Sequence, residues 1–194
     1  MLKSHKVNSA NFFWILTISS VSVSAIAILL LGDMVNRNIE SAMILHDFFT
    51  IIAIMSGAGI IGILVFSAQT IHGAITSIQI LAALSAISIF IVIFTGVYGY
   101  IFYRLPDENS PKSIINRTFP FAHAPMFESM EYLGLLGFIW STLIAYLIFH
   151  WKEKLFESSS ARYAVISLIG VGIMYALIIS LTGIVPTKIA SVQG

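Results

Sequence analysis

Long apolar runs separated by short polar stretches dominate the chain. Between Phe48 and Tyr103 there is no Asp, Glu, Lys or Arg. A bilayer-crossing helix needs about 20 apolar residues, so this run fits two helices joined by a tight uncharged turn. The turn is "SAQTIHG" at 67–73. The same criterion predicts spans at 11–31, 44–68, 72–103, 125–150 and 162–185. The expected fold is therefore all-α: a bundle of five transmembrane helices in a single integral membrane domain, 1–194, with the termini on opposite sides. Residues 32–43 and 151–161 read as short loops. The longest connection, 104–124, "RLPDENSPKSIINRTFPFAHA", carries three prolines that break helix. Pro125 is expected at the first position of the fourth span, where its missing N–H leaves nothing unsatisfied.

Composition agrees with that pattern. Apolar residues make up 58% of the chain and charged residues 10%, against about 25% charged in a soluble domain. Such a chain cannot cover itself with a solvated surface, and it has no soluble domain. A net charge of +1 gives no footprint for nucleic acid, and the absence of cysteine removes disulfides, thiolate metal sites and iron–sulfur ligands. No nucleotide loop, nucleophile triad or dinucleotide fingerprint is present. Lys3 and Lys6 precede the first apolar run, but that run ends in "LLLGDMVNRN" without a small-residue cleavage pattern, so it is expected to be a retained helix.

We call the N-terminal side A and the opposite side B. Lys3, Lys6, Lys152, Lys154 and Arg162 fall on side A; Arg37, Arg104, Lys112, Arg117 and Lys188 fall on side B. The positive-inside count is level. Because the first helix usually sets orientation, Lys3 and Lys6 point to a cytoplasmic N-terminus in a cell membrane.

Four of the five histidines fall at span ends. His46 and His123 lie on side B, His72 and His150 on side A, while His5 is in the tail. An axial haem pair needs two imidazoles from different helices at one depth, each held through its other ring nitrogen. One pair per side suits electron movement across a membrane. Together with "GAG" at 57–59 and "TGVYGY" at 95–100, which could admit a flat macrocycle, this layout resembles the small all-helical di-haem b-type membrane cytochromes that exchange electrons with quinones or ascorbate. The resemblance is architectural and covers about 44–185. It implies haem b as cofactor, His46, His72, His123 and His150 as cofactor-binding residues, a quinone as possible partner, and at most a subunit's role in a membrane oxidoreductase.

Side B also carries acid. Asp47 adjoins His46, and "HAPMFESMEY" brings Glu128 and Glu131 close behind His123. Glu128 is expected to sit in the first turn of its helix, favoured by the helix dipole. Glu131, one turn deeper, is expected to face protein rather than lipid, because an ionisable group at that depth is expensive. Glu131 and Asp47 are thus candidates for proton relay or partner contact. An alternative reading gives side B a divalent metal held by His46, His123 and Glu131, since imidazole and carboxylate suit such ions. The alternative function is a non-catalytic accessory subunit of a larger membrane complex, with lipid and other membrane subunits as its partners.

Overall fold

The computed structural model describes residues 39–66 and 71–193. Every regular element among them is helical: α1 (Ile39–Phe66), α2 (Ile71–Tyr103), α3 (Pro111–Thr118), a π-helical turn (Ala122–Phe127), α4 (Glu128–Gly134), α5 (Leu136–Trp151), α6 (Lys154–Glu157) and α7 (Ser159–Gln193). Four stretches are long and apolar enough to cross a membrane: Ser41–Phe66, Gly73–Tyr103, Ala122–Trp151 and Ser159–Val185. They match the second to fifth sequence spans; the first, 11–31, lies outside the described residues. The protein is an all-α membrane bundle.

Its surface is apolar. Only 28% of the Ser41–Phe66 window and 11% of the Ser159–Val185 window are buried within the protein. Ile44, Phe66, Ile139 and Leu181 stand outward, each more than half exposed. Lipid is the environment that accepts such a surface, because each helix satisfies its own backbone hydrogen bonds.

Since lipid is as apolar as Leu, packing rather than hydrophobicity must hold the helices together. The α1–α2 pair is the most extensive and is antiparallel. Met43 lies against Gly99, His46 against Gly96, and Leu81 against Gly59, while the Ser85 hydroxyl donates to the Ala53 carbonyl at 3.5 Å. Small residues let the backbones approach, and larger side chains of the facing helix fill the space. Toward side A, Ile60, Leu64, Ile78, Ala82, Ala145, Ile148 and Val165 form one core shared by α1, α2, α5 and α7. A smaller cluster, Tyr103, Ile115, Ala122 and Phe127, closes side B.

The 104–124 connection departs from expectation. It contains α3, which starts at Ser110 and Pro111 as a helix start should. The Ser110 side chain accepts from the Ser113 N–H at 3.3 Å, and Pro111 occupies the first turn. Ser110→Ala is expected to weaken this cap by about 1 kcal/mol, read as faster amide exchange confined to 111–118. Pro125 also departs from expectation: it lies inside the π-helical turn rather than at a helix start. The helix therefore begins at Ala122, three residues before the sequence span.

The span Ala122–Trp151 has 30 residues, about 45 Å at 1.5 Å per residue, against a hydrocarbon core of about 30 Å. The α2 helix, with 33 residues, is longer still. Tilt or protrusion absorbs the excess, so the paired ends Tyr103 and Ala122 lie toward the side-B interface.

Candidate functional site

The side-B cluster starts from the π turn. In an α-helix, residues three and four apart share a face; here the Glu128 N–H bonds to the His123 carbonyl, a spacing of five. That wider turn brings the Glu128 side chain over His123, with Oε1 3.8 Å from Nε2. His123 is 7% exposed. On its other edge, Nδ1 lies 2.9 Å from the Tyr103 hydroxyl at the end of α2. Phe127, one turn along, stacks on Tyr103 with ring centroids 3.7 Å apart. Arg104, the residue just after α2, reaches Glu128 at 3.4 Å and lies over the Tyr100 ring at 4.9 Å. Both partners of that ion pair are about one-third exposed, so it orients Glu128 more than it stabilises the fold. Glu128, expected as a helix-dipole residue, is thus a long-range partner of Arg104 and a close neighbour of His123.

His46 stands apart from this cluster. Its Nδ1 lies 3.2 Å from Thr95 Oγ1. The Thr95 hydroxyl proton is committed to its own helix, with the Ile91 carbonyl at 2.9 Å and the Val92 carbonyl at 3.1 Å. A hydroxyl has one proton, so toward His46 the Thr95 oxygen accepts. With that acceptor the proton sits on Nδ1, which leaves Nε2 of the neutral imidazole with its lone pair. Gly96 makes room for this seating: a Cβ there would stand 3.3 Å from His46 Cε1.

The two side-B histidines therefore have separate partners. Thr95 and Tyr103 are eight positions apart on α2, a rise of about 12 Å. Among the described residues no group of three or more His, Asp or Glu is placed to hold a metal ion. The side chain of Glu131, on α4, and that of His72, on α2, lie outside the described residues. His150, next to the last residue of α5, is exposed, with its ring stacked on Tyr146 one turn earlier at 5.5 Å. Asp47 is exposed beside His46.

The sequence reading missed Tyr103, Arg104 and Thr95. Nothing local marked Tyr103 as a partner of His123 or the pairing of Arg104 with Glu128 across 24 residues. These features define a small all-helical membrane protein with two polar sites toward side B. No protein-family model, curated protein or solved structure matches the chain.

Proposed function

We propose that the chain is an integral membrane subunit for electron transfer and that His46 supplies one axial ligand to a b-type haem. The observation that carries this reading is the Thr95 oxygen 3.2 Å from His46 Nδ1. A ligating imidazole donates its far N–H to an acceptor that holds the ring and sets the tautomer, and Thr95 is such an acceptor. Haem would contribute reversible one-electron chemistry; Thr95 and Gly96 would orient the ligand. His123 fits less well, because one ring nitrogen faces the Tyr103 hydroxyl and the other faces Glu128. The reading therefore gives the described part of this chain one ligand and leaves the opposite axial position to another residue, from this chain or a partner. A quinone-type carrier is the electron partner that suits described residues lying mostly in four membrane-length apolar helices.

A second reading, an accessory subunit without a cofactor, is favoured by one observation. The "TGVYGY" glycines that could admit a macrocycle face Met43 and His46 instead, so they serve helix packing. A reduced-minus-oxidised visible spectrum of the purified full chain separates the two. A b-type band supports the first reading, and a colourless chain after expression with ample haem supports the second.

A further inference from the structure

We propose that Glu128 and His123 form a proton-exchange relay at side B, between water and the buried His123 ring, which Tyr103 holds in place. The function proposed above assigns these residues no task, and the relay does not depend on a haem. Three observations converge on it. The π turn spends a rare backbone geometry on bringing Glu128 over His123, and such turns are frequent at functional sites. Both imidazole nitrogens face a group able to gain or lose a proton, Tyr103 at 2.9 Å and Glu128 at 3.8 Å. Exposure also falls along the line, from the Glu128 side chain at 36% to Tyr103 at 4%.

The step balances. A water proton joins the Glu128 carboxylate and passes to His123 Nε2. Tyr103 accepts from the Nδ1–H of the resulting imidazolium and holds the ring, and a proton then leaves Nε2 by the same route, through Glu128 to water. One proton enters and one leaves, no electron moves, and the neutral imidazole keeps its tautomer. Transfer at 3.8 Å lies beyond hydrogen-bond reach, about 3.2 Å at most, so the carboxylate must close in from its resting contact with Arg104. Glu128, partly exposed, has room to do so. Arg104 is a positioning residue in this scheme: it holds the carboxylate near the ring without entering the transfer.

The test follows solvent exchange of the His123 ring protons by NMR in the full-length chain. The protein carries ¹⁵N-histidine and sits in lipid nanodiscs; the signals are assigned by their loss in His123→Gln. Glu128→Gln, which keeps size and can still meet Arg104, is expected to slow exchange by roughly a hundredfold, within the range of general acid–base catalysis. Glu128→Asp should retain most of the wild-type rate, and added acetate should restore exchange in Glu128→Ala. Exchange that is unchanged or faster in Glu128→Gln would overturn the relay, since loosening an ion pair that is only structural opens a buried ring to water. The result stands whether or not the chain binds haem.

Discussion

Gly172→Val is expected to destabilise the bundle by about 2 kcal/mol, in the range for overpacking a close-packed contact, and to lower its Tm in detergent by about 6 °C. A Cβ at Gly172 would lie 3.0 Å from both Cδ1 and Nε1 of Trp140. The indole is rigid and cannot fold away as a flexible chain end could. Its N–H donates to the Leu168 carbonyl at 2.9 Å, so a displaced ring loses its acceptor in surroundings without water to replace it. This contact joins α5 to α7, the helix with the least buried span window. Gly62→Ala is the control, because a Cβ at Gly62 meets nothing within 4 Å; higher helix propensity should leave it as stable as the wild type or more so. Thermal unfolding followed by circular dichroism reads both.

Thr95→Val is expected to weaken haem binding about tenfold, the lower end of what loss of a ligand-orienting partner costs. Val preserves the shape of Thr but removes the oxygen that accepts from His46 Nδ1. The ring then loses its hydrogen-bond acceptor at Nδ1 and is less firmly held in the ligating tautomer. Helix packing should change little, because Gly96 still admits the ring. Haem titration of the full chain in nanodiscs measures the affinity, and an unchanged Tm would separate this effect from misfolding.

The four described spans were legible because a bilayer imposes a coarse rule, and the charge-free run from Phe48 to Tyr103 obeys it. Span ends were close as well: α2 starts one residue before the expected 72–103, and the Ala122–Trp151 helix starts three residues before and ends one residue after its expected span. Proline misled twice: Pro111 starts α3 where the loop was read as broken, and Pro125 sits within the π turn instead of opening the span. A π register cannot be seen in apolar periodicity when neighbouring positions are all apolar, so the approach of Glu128 to His123 was hidden. The glycines of "TGVYGY" were read as room for a flat macrocycle. What approaches them, Met43 and His46, is set by the antiparallel register of α1, which only the fold supplies. His46 and His123 were singled out as candidates by type and position along their spans. Their separate partners, Thr95 and Tyr103, came from packing at two different levels of α2.

The central claim, that His46 ligates haem, is tested most directly by the reduced-minus-oxidised spectra of His46→Ala and His123→Ala beside the wild type. All three full-length chains would be expressed with ample haem and purified in the same lipid. The account predicts a b-type band in the wild type and in His123→Ala, and none in His46→Ala. A band that survives in His46→Ala, or no band in the wild type, would contradict it.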